Sequence, residues 1–367
     1  MKVLFVLPLP PPVHGSSLVG QFIKDSNLIN RSFDTKFINL NTSKSIHEIG
    51  KNPLIKINRY LKILHKLILS LICFKPEIVY LSINAKGIGF YKDFLLVFLI
   101  KLFSRKLVLH YHNKGVKESQ RNMINNILYK YLFKNTKVIL LSKLLYNDIE
   151  NYVEKKNVFY CANGIPITYS SIHRFKKLED SYVTEILFLS NLIKSKGICI
   201  LINALKILQL KEMKFHCSIV GGEGDLSPEE LNNMISDFDL NDQVTYLGKK
   251  YDDEKYEIFL NSDIFVLPTF YHNECFPLVI LEAMQFGLAT ISTNEGAIPE
   301  IIDDGKTGFL IEKQNSEALA KKISWFLKNP KKLKEMGENA RIKFLNNYSI
   351  DIFEKQLTNI LNGFEGE

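Results

Sequence analysis

Two successive series of short apolar segments, separated by amphipathic stretches, constrain the fold of this 367-residue chain more than any other feature. In the first half the predicted strands are Val3–Leu7, Thr35–Leu40, Ile78–Ile83, Leu107–Tyr111, Val138–Leu141 and Val158–Cys161. In the second half they are Glu185–Leu189, Phe215–Val220, Val244–Leu247, Asp263–Leu267, Ala289–Ser292 and Gly308–Ile311. Such alternation of strand and helix is typical of a doubly wound parallel sheet. The pattern therefore predicts an α/β fold with two Rossmann-like domains that face each other across a cleft.

Helices are predicted between those strands, where apolar residues recur at a spacing of three to four. The predicted helices are Ser17–Ile29, Leu54–Phe74, Phe90–Phe103, Glu118–Phe133, Gly197–Gln209, Pro228–Phe238, Glu254–Leu260, Leu278–Phe286, Ser316–Leu327, Pro330–Asn346 and Ile350–Leu361. A polar stretch from about Thr168 to Asp180 separates the two series and is predicted to be a linker. We therefore expect a first domain over residues 1–170, a second over 181–348, and a terminal helix within 349–367.

The composition is that of an ordinary globular protein, with 46% hydrophobic and 23% charged residues. None of the five cysteines lies in a C-x-x-C pair, so we expect reduced thiols that are mostly buried. The chain begins with the first predicted strand instead of a signal-peptide pattern, and no apolar run approaches the roughly 20 residues of a membrane span. These features favour a cytoplasmic protein.

Positive charge is concentrated in the first half of the chain. Between Lys51 and Lys134 there are 16 lysines and arginines against 3 acids, a net charge of +13, whereas the whole chain carries +8. An anionic membrane surface is favoured over nucleic acid as the partner, because apolar residues at helical spacing between Ile57 and Leu71 alternate with the cations. The alternative is that these cations form the solvated side of a helix whose other side is core.

Two carboxylates eight positions apart, Glu274 and Glu282, flank a nearly apolar run in the second half. The first lies in the loop after a predicted strand, and the second lies inside the helix that follows. The start of that helix offers free N–H groups and a partial positive charge, which suit a phosphate group. The segment could therefore bind sugar hydroxyls through Glu274, phosphate through the amides of Leu278 and Val279, and a ribose through Glu282. The simpler alternative is a helix-capping acid followed by a helix-surface acid.

The order of strand, Glu274, seven residues and then Glu282-Ala283-Met284 closely resembles the signature of glycosyltransferase family 4. Enzymes of that family are retaining, metal-independent and of the GT-B fold. The resemblance extends over nearly the whole chain and is strongest from Glu185 to Leu310. It implies that Glu274 holds donor-sugar hydroxyls without acting as a covalent nucleophile, that Glu282 binds ribose, and that Phe276 belongs to the donor site. It also implies that the last helix crosses back to the first, acceptor-side domain.

A second segment, from Ile186 to Gly197, resembles the donor-binding loop of the same family. The resemblance implies that Lys196 binds the diphosphate of the donor. A fixed cation is needed there because the leaving nucleoside diphosphate gains negative charge and no metal is expected to neutralise it. Asn191 is counted among the donor-binding residues, but it stands where the family usually has arginine. The segment therefore has one cation fewer than the family pattern.

Two loops of the first half are also candidate sites. The proline-rich turn after the first strand contains Gly15 and Ser16, and together with Ser17 these residues can approach an anion and cap the next helix. His110 and His112 end the fourth strand, where ligands of parallel α/β sheets usually bind. The resemblance implies that His112 contacts the donor sugar. Without it, a histidine at a strand end is more often structural.

Metal binding is not expected. Asp237-Phe238-Asp239 has the D-x-D form but lies at the end of a predicted helix, and Asp252-Asp253 is predicted to begin another. The function that the resemblance implies is a cofactor-free transfer of sugar from a nucleotide-diphosphate sugar to a carbohydrate or lipid-linked glycan acceptor, in the synthesis of bacterial surface polysaccharide. Such an enzyme would be cytoplasmic and peripheral on the inner face of the plasma membrane, with no nucleic-acid partner.

Three other functions compete with this interpretation. The first is a nucleotide-sugar epimerase of the same fold, and the second is a non-catalytic binding module of a polysaccharide assembly complex. The third, a nicotinamide-dependent oxidoreductase, is disfavoured because the glycine fingerprint G-x-G-x-x-G is missing from the turn after the first strand.

Overall fold

A computed structural model describes residues 1–42, 53–168 and 183–364 of the chain. The chain divides into two compact units. Unit 1 consists of residues 1–164 together with the segment that begins at Ile350, and unit 2 is the continuous segment Ile165–Ser349. The predicted boundaries at residues 170 and 181, and nearly all of the predicted linker, lie outside the described residues, so the predicted division stays a prediction.

The sheet of unit 1 is parallel and has six strands in the order β2-β1-β3-β4-β5-β6. Its strands are β1 Lys2–Leu7, β2 Asp34–Asn39, β3 Ile78–Ile83, β4 Lys106–Tyr111, β5 Lys137–Leu140 and β6 Val158–Tyr160. The central strands β1 and β3 are buried almost from end to end, which accounts for their continuous apolar runs. All six predicted strands are confirmed, and each end differs by at most one residue.

The helices that connect these strands are α1 Gly15–Asp25, α2 Asn27–Ser32, α3 Pro53–Leu69, α4 Gly87–Leu102, α5 Val116–Ser119 and α6 Met123–Phe133. Two of the predicted helices are each divided into two. At Ser26 the backbone is extended and the side chain accepts the N–H of Ile29, so α2 begins anew. At Asn122 the side chain likewise caps α6. The predicted helix 54–74 is α3 followed by a π-helical turn over Ser70–Phe74.

Unit 2 contains a second parallel sheet of six strands, in the order β12-β11-β10-β7-β8-β9. Its strands are β7 Thr184–Leu189, β8 Phe215–Val220, β9 Val244–Tyr246, β10 Ile264–Leu267, β11 Ala289–Thr293 and β12 Gly308–Ile311. Its helices are α7 Ile198–Gln209, α8 Pro228–Asp237, α9 Asp252–Asn261, α10 Leu278–Gln285, α11 Ile298–Ile301, α12 Ser316–Lys328 and α13 Pro330–Asn347. The six predicted strands are again confirmed. The short helix α11 was not predicted.

Helix α10 carries Glu282, and its two ends are fixed by local sequence. Pro277, which suits a first helical turn, is instead the residue that precedes the helix, with an extended backbone. Gly287 has a φ of +69°. Its N–H donates to the carbonyl of Met284, and the N–H of Leu288 donates to that of Ala283, so a Schellman motif ends the helix.

The last helix, α14 Ile350–Asn362, belongs to unit 1. It packs against α2, and its buried side chains include Phe353, Leu357 and Leu361. The ring of Phe364 contacts that of Phe159 in the edge strand β6, at a centroid distance of 4.9 Å. Among the described helices, none is long and apolar enough to cross a bilayer.

Candidate functional site

Two loops at the carboxyl edge of the second sheet pack against each other. One follows β7, the other follows the neighbouring strand β10, and the N–H of Phe270 donates to the carbonyl of Ser195 over 2.8 Å. Gly197 has a φ of +92°, and a Cβ there would lie 2.2 Å from the carbonyl oxygen of Pro268. Only glycine permits this approach, which places the adjacent Lys196 over the second loop.

Lys196 and Glu274 form an ion pair between the two loops. The Lys196 Nζ lies 2.5 Å from Glu274 Oε2, and the side chains are only 18% and 9% exposed. The same ammonium group lies over the ring of Tyr271, 4.8 Å from its centroid. Because both charges are largely removed from water, each depends on the other for compensation. The structure thus brings together the two residues to which the sequence assigned the diphosphate and the sugar hydroxyls.

Backbone hydrogen bonds fix the position of Glu274. Its N–H donates to the carbonyl of Tyr271 over 2.9 Å, and the next carbonyl, that of Cys275, accepts the N–H of Ala297 over 2.7 Å. One hydrogen bond within the loop and one to the loop after β11 therefore fix its backbone. A carboxylate on such a loop keeps its position when a ligand binds, which is a requirement for orienting a substrate.

The amino end of α10 follows directly. Its first N–H groups, those of Leu278 and Val279, have no intrahelical partner because they belong to the first turn. No side chain from the described part of the chain caps this helix end. Both residues are partly exposed, whereas Phe276 is buried and its ring packs edge-on against Tyr348 at 5.8 Å. The geometry offers an anion two N–H groups and the positive end of a helix dipole.

Glu282 does not pair with Lys196. Its Oε1 accepts a hydrogen bond from Lys255 on α9 over 2.9 Å, and the two side chains are 23% and 19% exposed. Lys255 was not singled out in the sequence, because it lies on a different helix and no local pattern connects it with Glu282. Tyr271 was also missed, although its place three residues before Glu274 was a usable signal.

Asn191, the residue that replaces arginine of the family pattern, has a structural contact. Its side-chain oxygen accepts the N–H of Gly222 over 3.3 Å, which ties the loop after β7 to the turn after β8. Lys194 is exposed, and its N–H donates to Asp225 in the same turn. The amide of Asn191 thus supports the loop that carries Lys196.

In unit 1, Gly15 and Ser16 begin helix α1 at the carboxyl end of β1. The cap differs from the predicted one: His14 is the N-cap, and its ring accepts the N–H of Ser17 over 3.3 Å. The Ser17 hydroxyl in turn accepts the N–H of His14 over 2.9 Å, which completes a capping box. Ser16 Oγ lies 3.1 Å from the same ring, at Nδ1. Gly15 is exposed, so its backbone is accessible.

His112 lies just beyond the end of β4 and contacts a buried histidine. Its ring centroid is 4.2 Å from that of His110, which is hydrogen-bonded through Nδ1 to the Tyr80 hydroxyl. Burial, with a smaller contribution from His14, lowers the pKa of His112 to about 4. Burial and the neighbouring His112 also lower the pKa of His110 well below its usual value. Both rings are therefore neutral at pH 7.

The acid pairs weighed as metal ligands lie away from these loops. Asp237 ends α8, Asp239 follows it and lies 3.5 Å from Lys206, and Asp252 and Asp253 begin α9. Within residues 1–42, 53–168 and 183–364, no group of three or more His, Cys, Asp or Glu side chains is arranged to hold a metal ion.

Comparison with known proteins connects this site with a family. Residues 170–343 match the family model described as "Glycosyl transferases group 1", a range that includes Lys196, Glu274 and Glu282. The matched range is therefore similar to a glycosyl transferases group 1 domain. The matched range coincides with most of unit 2, the unit that holds the two loops and helix α10.

Relatives of the chain are named as glycosyltransferases. An uncharacterized glycosyltransferase of Haemophilus influenzae is 27% identical over 331 residues, which are 86% of this chain and 87% of that protein. The putative colanic acid biosynthesis glycosyltransferase WcaL of Escherichia coli is 23% identical over 87% of this chain and 80% of its own. The capsular polysaccharide biosynthesis glycosyltransferase CapM of Staphylococcus aureus is 27% identical over 64% and 63%.

Solved structures confirm the predicted fold class, α/β of the GT-B type. A glycosyltransferase from Rickettsia africae superposes with a TM-score of 0.73 at 21% identity, covering 100% of this chain and 99% of that one. Anabaena Alr3699/HepE, solved in complex with UDP and glucose, superposes with a TM-score of 0.73 at 18% identity, covering 99% and 100%. At these identities the likeness concerns the fold.

Proposed function

We propose that this protein is a retaining, metal-independent glycosyltransferase that moves a sugar from a nucleotide-diphosphate sugar to an acceptor hydroxyl. The observation that carries the proposal is the pair of Lys196 and Glu274, set beside the uncapped amino end of α10 in the range that matches the group 1 family model. One cation, one carboxylate and two free N–H groups lie within a single short stretch of surface, and each matches a different part of the donor.

In this proposal the diphosphate binds to Lys196 and to the N–H groups of Leu278 and Val279. An ammonium group has three donors, so Lys196 can contact phosphate oxygen and Glu274 at the same time. Negative charge builds on the leaving diphosphate as the glycosidic bond breaks, and a cation already fixed in place stabilises that charge without reorganisation.

Sugar and nucleoside are held by the two acids and their neighbours. Glu274 accepts hydrogen bonds from donor-sugar hydroxyls, and Glu282, oriented by Lys255, accepts them from the ribose. Phe276 stabilises the loop after β10 by packing on Tyr348. Asn191 stabilises the loop after β7 by its hydrogen bond with Gly222. In unit 1, Gly15 and Ser16 contribute backbone and hydroxyl groups to the donor.

His112 contacts the sugar as a neutral imidazole, because its pKa of about 4 leaves it unprotonated at pH 7. The acceptor oxygen attacks the anomeric carbon from the side that the leaving phosphate vacates, and the bond from that carbon to the phosphate oxygen breaks. The acceptor proton passes to the phosphate, so the step needs no further base and configuration is retained.

The acceptor is proposed to be a lipid-linked glycan of a surface polysaccharide, with the reaction at the cytoplasmic face of the plasma membrane. Support comes from the names of relatives, which refer to colanic acid, capsular polysaccharide and amylovoran biosynthesis.

The test combines binding and turnover on the full chain. A thermal-shift screen across nucleotide sugars should identify a donor, since ligand at 100 times its dissociation constant adds about 2.7 kcal/mol to the free energy of unfolding. Lys196→Ala should weaken binding of the matching nucleoside diphosphate about tenfold to a hundredfold, the range expected for a charge-assisted hydrogen bond. Glu274→Gln should abolish donor turnover but preserve diphosphate binding. Lys211→Ala, an exposed lysine of unit 2, is the control.

The rival functions give different outcomes. An epimerase would convert the sugar without an acceptor, and its product would appear as free nucleotide and altered sugar. A non-catalytic module, which the structural contact of Asn191 keeps in consideration, would bind no donor in the screen. Retention of diphosphate affinity by Lys196→Ala would contradict the proposed site.

A further inference from the structure

Helices α3, α4 and α6 of unit 1 each have two apolar sides, of which only one faces the core. On α3, Ile63 and Leu67 are buried. The second side is formed by Leu54, Ile57 and Leu61, which are 80%, 54% and 55% exposed. Since a surface helix usually places polar residues opposite its buried stripe, an exposed apolar stripe requires explanation.

Helix α4 has a longer exposed apolar stripe than α3. The exposed side chains recur at spacings of three and four, so they form one continuous stripe: Ile88, Tyr91, Leu95, Phe98 and Leu102. Ile88 is 89% exposed and Leu102 is 67% exposed, at opposite ends of the helix. On α6 the exposed residues are Met123, Ile124 and Ile127, at 78%, 62% and 60%. We call these exposed stripes of α3, α4 and α6 the outer face of unit 1.

Contacts between neighbouring helices make the outer face continuous. The Tyr60 hydroxyl of α3 donates to the carbonyl of Lys92 on α4 over 2.5 Å. The Tyr91 hydroxyl of α4 donates to Asn125 on α6 over 2.6 Å, and the rings of Phe98 and Tyr131 are 6.1 Å apart. The three stripes therefore lie side by side on linked helices.

The charges of the outer face have one sign. Helices α3, α4 and α6 carry seven lysines and arginines: Lys56, Arg59, Lys62, Lys66, Lys92, Lys101 and Lys130. Their single acid, Asp93, is buried and accepts hydrogen bonds from Asn84. Lys62, Lys66 and Lys130 are exposed. No acidic side chain of these three helices is available to neutralise them.

These observations decide among the surfaces that could cover the outer face. A second copy of the chain would bring the same cations together, because a symmetric dimer pairs identical patches. Nucleic acid would pair with the cations but would leave exposed aliphatic groups such as Ile88 and Leu102 without an apolar partner. An anionic lipid bilayer satisfies both features, because apolar side chains enter the acyl boundary while lysines contact lipid phosphates.

We propose that the outer face of unit 1 docks on anionic lipid bilayers. The proposal does not depend on the proposed transfer reaction, because the residues that carry it are in unit 1 whereas Lys196, Glu274 and Glu282 are in unit 2. It identifies which helices would contact the membrane and which side chains would enter it.

The test is co-sedimentation of the full chain with vesicles. Vesicles of phosphatidylcholine containing phosphatidylglycerol should bind the chain at low salt, and pure phosphatidylcholine vesicles should bind it at least about tenfold more weakly. Raising the ionic strength to about 0.5 M should reduce binding, because screening weakens attraction between exposed charges. Absence of binding to the anionic vesicles at low salt would overturn the proposal.

Two variants separate the apolar and the charged contributions. The triple change Ile88→Ser, Leu95→Ser and Leu102→Ser should reduce anionic-vesicle binding at least about tenfold, and so should Lys62→Glu with Lys66→Glu. The matched controls in unit 2 are Leu210→Ser with Ile342→Ser, and Lys211→Glu, all exposed.

The remaining outcomes also decide the matter. Unchanged vesicle binding by the serine variant would overturn the proposal, and so would a dimer in light scattering that this variant dissociates, since a second copy would then cover the face. Donor binding should be unchanged in every variant. A failure of vesicle binding with intact donor binding would therefore reject the docking surface alone, and the reverse would reject the proposed reaction alone.

Discussion

His110 and His112 show how burial sets the properties of single residues in this protein. The two rings lie at the end of β4 with their centroids 4.2 Å apart and their planes tilted by 41°, so each ring is part of the environment of the other. Burial disfavours the charged imidazolium, which lowers the pKa of both. The sequence placed both histidines at the end of this strand, but it did not show that the Tyr80 hydroxyl would form a hydrogen bond with His110.

The lowered pKa of His112 predicts that unit 1 loses stability in mild acid. An unfolded imidazole has a pKa of about 6.5, so the unfolded state binds a proton before the folded state does as the pH falls. Stability should be fully present above about pH 6.5 and should decrease by roughly 2 kcal/mol down to about pH 5. His112→Gln should reduce this dependence, whereas His65→Gln, an exposed histidine on α3, should preserve it.

The measurement is urea unfolding at several pH values, followed by circular dichroism and by fluorescence. Trp325 is the only tryptophan of the chain and lies in α12, so its fluorescence reports unit 2. A pH dependence that appears in the fluorescence transition, or that is equal in His112→Gln, would count against His112 as its origin.

Contacts between functional residues were harder to predict from the sequence than the functional residues themselves. The family resemblance singled out Lys196, Glu274 and Glu282, because each lies in a short local motif. The contact of Lys196 with Glu274 spans 78 positions, and that of Lys255 with Glu282 spans 27. Such contacts depend on which strands are neighbours in the sheet, and no local pattern specifies that order.

At the level of elements, strands were easier to predict than helices. Central parallel strands are buried on both faces, so the apolar run begins and ends with the strand. Helices were predicted from apolar spacing, which continues across Ser26 and Asn122, although each of these residues starts a new helix by capping it. Their side chains were the available signal, since serine and asparagine are preferred N-caps.

Helix α10 is positioned by close packing against α13, and this predicts an unusual response to alanine. A Cβ at Gly337 would lie 2.2 Å from the carbonyl oxygen of Gly287, the glycine that ends α10. Gly337→Ala should therefore destabilise unit 2 by roughly 1–3 kcal/mol, although alanine is normally the better helix former. Diphosphate affinity should also fall, because α10 must shift to accommodate the methyl group.

Unfolding followed by Trp325 fluorescence measures this effect. Glu338→Ala, at the exposed neighbouring position of α13, is the control and should change stability little. If Gly337→Ala raised the unfolding midpoint, the close approach of the two helices would be wrong.

For the molecule as a whole, the division into units is not the simple order of the sequence. The pattern alone gave two series of strands, whereas the place of the last helix was implied by the family resemblance. The helix α14 packs on unit 1, with Phe353, Leu357, Leu361 and Phe364 all buried. These four side chains connect the end of the described chain with a sheet that is complete by residue 160.

Deletion of residues 350–367 should therefore unfold or severely destabilise unit 1. Burial of four large apolar side chains contributes at most about 6–12 kcal/mol, which is comparable with the whole stability of a typical domain. Circular dichroism should show an early transition that Trp325 fluorescence does not share, because unit 2 retains all its elements. A truncated chain that unfolds in one transition at the normal midpoint would contradict this account.

The position of α14 also has a consequence for how the protein is made. On the ribosome the strands of the first sheet emerge early, but α14, which packs on α2 of the same unit, is synthesised only after the whole of unit 2. Unit 2 can thus finish folding while unit 1 still exposes the apolar surface that α14 will cover, which reverses the usual order of domains during synthesis. Nascent chains should accordingly need chaperone protection of unit 1 until α14 has emerged.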